Sequence, residues 1–180
     1  MPEDEEFDEN ELEDEEDPEE AYTRARKERE HLDNYHEITK YREKAKKYDA
    51  KASKSLEKAR HFETKAEREN QKAIKLRKKA GGFKQKAKVH EQQIKEHEAS
   101  RAAASEAKAQ KIDLKIKKLK EKIAKNDRKA KALEEKASTH TKKSTNYRKK
   151  GAKYTEENKE LLAEVKKAQK MADNLEKLNQ

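Results

Sequence analysis

The 180-residue chain has no cysteine, no tryptophan, three glycines and two prolines. Without cysteine, a disulfide framework and thiolate chemistry are excluded. No apolar run approaches the length of a membrane-spanning helix, and the acidic start does not resemble a secretory signal. These absences predict an intracellular protein of the cytoplasm, nucleoid or nucleus.

Bulky apolar side chains are also scarce, since 30% of the residues are hydrophobic and 48% are charged. A compact globular domain normally has close to half of its residues apolar, so a sizeable core is not expected. Strong helix formers dominate instead: Ala, Lys, Glu, Arg, Gln and Leu. The composition therefore predicts an all-α protein built from long helices.

The charge is divided unequally along the chain. Residues 1–20 contain fourteen acidic side chains and no Lys or Arg, so the remaining residues carry a formal +23 within an overall +9. Blocks of like charge repel one another and favour disorder. We predict a disordered acidic tail over 1–20, followed by a basic helical body. Pro18 with Glu19 and Glu20 is typical of a helix start.

The body repeats with a period of seven, which is typical of a coiled coil with heptad positions a to g. A first frame occupies 21–98, and a second frame, displaced by one residue, occupies 99–180. We interpret the displacement as a local change of supercoiling within a helix that continues. The residues predicted to line an oligomer seam are Ile38, Ala45, Ala52, Ala59, Phe62, Ala66, Ala73, Leu76, Ala80, Phe83, Ala87, Ile94, Ile112, Ile116, Leu119, Ile123, Leu133, Tyr147, Tyr154, Leu161, Val165 and Leu175.

A lysine precedes the a position in heptad after heptad, and this row follows the frame across its displacement. A lysine at this g position can lay its stem along the seam while its ammonium group reaches water. The lysines predicted to bind polyanions are Lys44, Lys51, Lys58, Lys65, Lys72, Lys79, Lys86, Lys108, Lys115, Lys122, Lys129, Lys136, Lys143 and Lys150.

The lysine rows also bear on helix orientation. An antiparallel pair sets the g rows against each other, whereas a parallel pair gives slightly more favourable than unfavourable g-to-e contacts. This favours a parallel homo-oligomer over an intrachain hairpin. Gly81 and Gly82 mark a possible bend or hairpin, but the frame is kept through them, so we expect a continuous, bendable helix.

Residues that could support catalysis or metal binding are not grouped in the sequence. His90 and His97 are about 10 Å apart along a helix, which is too far for one metal ion. There is no nucleophile with a base nearby and no glycine-rich phosphate loop. We therefore expect no enzymatic activity, no cofactor, no metal and no small-molecule substrate.

Two functions fit this pattern. The first is a structural protein that self-associates as a rod or scaffold through its alanine-rich seam. The alternative is sequence-nonspecific binding of DNA or RNA through the lysine stripes, modulated by the acidic N-terminal tail. Binding to a membrane is disfavoured, because the chain has too few large apolar residues on one face to insert.

Overall fold

The chain forms two long helices in the computed structural model, which describes residues 17–180. Helix α1 spans Pro18–Ala102 and helix α2 spans Glu106–Leu178, and the described residues contain no strand. The all-α prediction is confirmed. The predicted tail lies outside the described residues up to residue 16, but the chain from Pro18 to Glu20, which the charge pattern assigns to the tail, belongs to α1.

Helix α1 begins where the sequence predicts a helix start. The Ala21 amide donates to the Asp17 carbonyl at 3.0 Å, and the Glu19 amide donates to Asp17 Oδ1 at 3.0 Å. Asp17 is thus the N-cap, and Pro18 at the first helical position has no amide hydrogen that needs a partner. Two acidic residues in the first turn also suit the positive end of the helix dipole.

The expectation that one helix continues across the frame displacement is wrong, because α1 ends at Ala102. The Ala104 amide donates to the Arg101 carbonyl at 3.1 Å in a tight turn, and the Ala109 amide donates to the Ser105 carbonyl at 2.8 Å. Ser105 is therefore the N-cap of α2, a position that serine favours. The displaced frame belongs to a second helix with its own register.

A hairpin at Gly81 and Gly82 is likewise excluded, since α1 runs through both glycines. Neither residue has a positive φ, and a Cβ atom added to either one would meet nothing within 4 Å. The two glycines thus lie on an open helix surface, where they weaken α1 without turning it. The prediction of a continuous helix at this point is confirmed.

The chain divides into two compact units, which are described separately. Unit 1 joins the described residues up to Ala52 with Lys159–Gln180. Here Asn34 Nδ2 donates to Asn179 Oδ1 at 2.9 Å, Arg42 pairs with Glu176, and Ala45 packs against Val165. The residue numbers of the partners on α2 decrease as those on α1 increase, so the two helix segments are antiparallel.

Unit 2 comprises Ser53–Asn158 and includes the turn. A Cβ atom on Gly151 would lie 3.5 Å from the Ala59 carbonyl oxygen, and Ser144 Oγ donates to the Ala66 carbonyl at 2.8 Å. Near the turn, Ile94 packs with Ile116. The helices again run antiparallel, and the contacts with backbone atoms show how closely the small side chains let them approach.

Every residue predicted to line a seam is buried or half-buried between helices of this one chain. The most deeply buried of them are small, including Ala52, Ala66, Ala73 and Ala80, each at most 1% exposed. The preference for a parallel pairing over an intrachain hairpin is therefore wrong for the contacts within the chain. Whether the same residues also join separate chains stays a prediction. Over residues 17–180, neither helix has an apolar stretch sufficient to cross a membrane.

Candidate nucleic-acid interface

The seam of unit 2 has two sides, and the first carries charges of both signs. Lys84 of α1 forms an ion pair with Glu134 of α2, and Arg77 Nη2 donates to Thr141 Oγ1 at 3.0 Å. All four residues occupy the fifth heptad position, e, of their helices. On this side, opposite charges or polar groups meet across the helix pair.

The other side of the seam carries the lysine rows. Lys65 Nζ of α1 lies 5.9 Å from the ring centroid of Phe62 and 5.8 Å from that of Tyr147 on α2. Lys150 Nζ of α2 lies 5.8 Å from the same Phe62 ring. Lysines from opposite helices thus share one aromatic ring, which places the two rows side by side.

The same arrangement recurs farther along unit 2. Lys86 Nζ of α1 and Lys129 Nζ of α2 lie 5.6 and 5.3 Å from the Phe83 centroid, and Lys58 Nζ lies 5.2 Å from that of Tyr154. Because both helices repeat every seven residues, the other g lysines follow on this side. We call this surface the lysine edge; its members are Lys58, Lys65, Lys72, Lys79, Lys86, Lys122, Lys129, Lys136, Lys143 and Lys150.

Aromatic rings form part of the floor between the two rows. Phe62 and Tyr154 stack with an interplanar angle of 3° and centroids 5.7 Å apart, and Phe62 and Tyr147 lie at 27° and 6.1 Å. These rings are half-buried. A lysine stem can cover the exposed part of a ring, and a surface cation–π contact contributes about 0.5–1 kcal/mol. The rings therefore offset part of the repulsion between the rows.

Glu69 interrupts this floor and is the one acidic residue at a d or g position in 58–86 and 122–150. Lys72 Nζ lies 2.7 Å from its Oε1, and His140 Nδ1 of α2 lies 2.6 Å from its Oε2. The hydrogen bond from Lys72 and then the contact with His140 lower the pKa of Glu69 from 4.5 to about 2. Glu69 is therefore ionised near neutral pH, and its carboxylate links Lys72 of its own helix to His140 of α2.

Unit 1 differs from unit 2 in its charge. Lys44 and Lys51 both lie 5.9 Å from the ring of Tyr48, but Glu164 of α2 lines the same hollow as Lys44. The described residues of unit 1 contain 15 Lys and Arg against 13 Asp and Glu, a formal +2. Unit 2 contains 33 against 15, a formal +18. Positive charge is concentrated in unit 2.

Twelve of the fourteen predicted polyanion-binding lysines belong to unit 2. Contacts with the aromatic rings place five of them on the lysine edge, and heptad spacing assigns five more to it. The two that lie outside the ten, Lys108 and Lys115, continue the α2 row towards the turn and are exposed. Lys65 is half-buried, and the other thirteen are exposed. The sequence reveals each row, but the meeting of the two rows depends on the reversal at the turn.

In the described part of the chain, no cluster of three or more His, Asp or Glu side chains could hold a metal ion. No protein-family model, curated protein or solved structure matches this chain.

Proposed function

We propose that this chain is a sequence-nonspecific nucleic-acid-binding protein that holds phosphates along the lysine edge. The observation that supports this proposal most directly is the sharing of the Phe62 and Phe83 rings by lysines of opposite helices. That sharing brings lysines of the two rows side by side, and the heptad spacing extends the same arrangement to the ten lysines of the edge. The opposite side of the seam, with its Lys84–Glu134 pair, offers no comparable accumulation of one charge.

Binding follows from the release of counterions. Each lysine that neutralises a phosphate frees a condensed cation, so the affinity falls steeply as salt rises. The edge consists of lysines, which act as point charges without the forked geometry of arginine that reads guanine. We therefore expect weak dependence on base sequence and a strong dependence on ionic strength.

The acidic N-terminal segment acts in this proposal as a competitor. Residues 1–16 carry eleven acidic side chains and no Lys or Arg. A segment of this charge resembles a polyphosphate strand electrostatically, so it would occupy the lysine edge of another molecule and weaken binding of nucleic acid. A location with access to DNA or RNA, in the cytoplasm, nucleoid or nucleus, accompanies this function.

The proposal treats the helix pair in each unit as an antiparallel coiled coil with an alanine seam. Self-association as a rod or scaffold remains the competing function. It would have to use another surface or exchange helices between chains, because α2 of the same chain already covers seam residues such as Ala45 and Ala66. The covered seam is the reason to rank nucleic-acid binding first.

The experiment compares two variants of equal charge. One replaces five edge residues with glutamine: Lys65, Lys79, Lys86, Lys129 and Lys143. The matched control replaces five outward-facing lysines of unit 2: Lys75, Lys78, Lys88, Lys125 and Lys142, all exposed. Binding of a labelled 30-nucleotide DNA is followed by fluorescence anisotropy across a salt series.

We expect the edge variant to bind on the order of a hundredfold more weakly at moderate salt, and its slope of log K against log salt to become shallower by about four. The control variant should stay within about threefold of the parent chain. Deleting residues 1–16, which keeps the Asp17 cap, should tighten binding. Equal losses in the two lysine variants would show that charge without a defined surface explains the binding, and the proposal would then be abandoned.

A further inference from the structure

The geometry points to single-stranded nucleic acid, DNA or RNA, as the ligand of the lysine edge, in preference to a duplex. This inference rests on the proposed function and deepens it by naming the class of ligand. It depends on two features of unit 2: the course of the lysine rows along the helix axes and the aromatic floor between them.

The rows follow helix axes, and this sets their length and direction. From Lys58 to Lys86 the α1 row covers 28 residues, which at about 1.5 Å per residue is roughly 42 Å. The α2 row from Lys122 to Lys150 covers the same number of residues in the opposite direction. The edge is thus a narrow strip with cations along both margins.

A duplex matches such a strip poorly. Its phosphate strands wind around the axis once in about 34 Å, so a 42 Å strip laid along the duplex passes little more than one turn. Each strand then crosses the strip only once or twice, and most of the ten lysines remain far from a phosphate. An unpaired strand can instead follow the strip from end to end and place successive phosphates between the rows.

The floor gives a second reason. Phe62, Phe83, Tyr147 and Tyr154 are half-buried, and lysine ammonium groups lie over these rings at 5.2 to 5.9 Å. When phosphates draw the ammonium groups towards the margins, the exposed parts of the rings become available to bases. Unpaired bases can stack on aromatic side chains without regard to sequence, whereas the bases of a duplex are already stacked inside it.

The test measures a 20-nucleotide strand and the duplex of the same sequence against the full-length chain at one salt concentration. We expect the single strand to bind at least tenfold more tightly, and DNA and RNA strands to bind alike. The chain has no tryptophan, and two of its six tyrosines, Tyr147 and Tyr154, belong to the floor. The single strand should therefore quench part of the tyrosine fluorescence, and the duplex should not.

Two double variants separate stacking from charge. Phe62→Leu with Phe83→Leu keeps an apolar floor but removes two rings that the edge lysines share, and should lower single-strand affinity about tenfold and duplex affinity by a clearly smaller factor. Tyr22→Leu with Tyr35→Leu removes two exposed rings of unit 1 and should change neither. Circular dichroism melts check that both variants remain helical.

The outcomes distinguish this inference from the function on which it rests. A duplex bound as tightly as the strand, or inorganic polyphosphate competing as well as the strand per phosphate, would overturn the preference for unpaired bases and leave nucleic-acid binding intact. Equal losses of strand and duplex affinity in the Phe62 and Phe83 variant would overturn it too. If replacing the five edge lysines changed the affinity of neither the strand nor the duplex, the proposed function itself would be contradicted.

Discussion

At the scale of single residues, Glu69 has the most distinctive surroundings on the lysine edge. It lies between Lys72 of its own helix and His140 of α2, and these partners lower its pKa from 4.5 to about 2. Because the folded-state pKa is depressed, the stabilisation is fully present above pH 4.5 and is lost as the pH falls from 4.5 towards 2.

Replacing Glu69 with Gln should therefore flatten the pH dependence of stability in this window. We expect the free energy of unfolding of the parent chain to decline more between pH 5 and pH 3 than that of the variant, as measured by urea denaturation. Glu57→Gln, at an exposed position on the same helix, serves as the control. A decline of equal size in all three chains would contradict the role given to Glu69.

A second prediction at this scale concerns the narrow seam. Ala73 and Ala137 are both 0% exposed, and the register set by Ala66 with Ser144 places them opposite each other. Ala73→Leu inserts bulk where the helices approach closely and should destabilise the chain by about 1–3 kcal/mol in a thermal or urea melt.

The control for that change is Ala124→Leu, because Ala124 is exposed on α2. We expect this substitution to alter stability by less than about 0.5 kcal/mol. If leucine were tolerated equally well at positions 73 and 124, the seam could not be as tightly packed as the structure indicates.

At the scale of helices, the two adjacent glycines of α1 offer a test of helix propensity. Gly81 and Gly82 are helical and face open space. Replacing both with Ala should raise the stability by about 1 kcal/mol each, because alanine loses less backbone freedom on folding. The midpoint of thermal unfolding should rise by roughly 2–4 °C for each kcal/mol.

Gly151→Ala provides a contrasting case in α2. There the added Cβ atom would meet Ala59 and Phe62 at 3.5 and 3.6 Å, which is ordinary contact distance. Helix propensity and close packing therefore act together at this position.

An unchanged melting midpoint in the Gly81 and Gly82 double variant would show that α1 is not an ordinary continuous helix at that point.

Helix positions and the start of α1 at Pro18 could be predicted from the sequence, since composition and a proline before two glutamates determine them locally. The end of α1 at Ala102 could not be predicted in this way, because a one-residue displacement fits either a continuing helix or a new one. Ser105, followed by Glu106, was the available signal, because serine favours the N-cap and an acid favours the first turn.

The lysine edge was predictable only in part for a related reason. Each row can be read from one helix, but the meeting of Lys65 and Lys150 on Phe62 depends on the direction of α2. Repulsion between exposed lysines amounts to a few tenths of a kcal/mol per pair, which is too little to predict the orientation of the helices within the chain. The aromatic floor beneath the lysines offsets part of this repulsion, and charge alone does not reveal it.

At the scale of the whole molecule, the concentration of charge in unit 2 predicts an unusual response to salt. Unit 2 carries a formal +18 and its lysine rows lie side by side, so self-repulsion opposes folding. Raising the salt from about 20 mM to 300 mM shortens the screening length and should raise the midpoint of thermal unfolding by a few degrees. The five-lysine edge variant should show a smaller rise than its outward-facing control.

A midpoint that falls with added salt, or that rises equally in the two variants, would contradict the view that the edge is a site of repulsion. The measurement needs no ligand, so it tests the double row independently of nucleic-acid binding.

The turn at Ala102–Glu106 makes the candidate interface conditional on tertiary structure. Since one row of cations belongs to each helix, a separated helix offers half of the charge, and the full surface exists only while the two segments lie together. An anionic strand that touches both rows would act as a clasp, binding the paired form in preference to the open one. At a ligand concentration of 100 Kd, such linkage would add about 2.7 kcal/mol to the stability of the pairing.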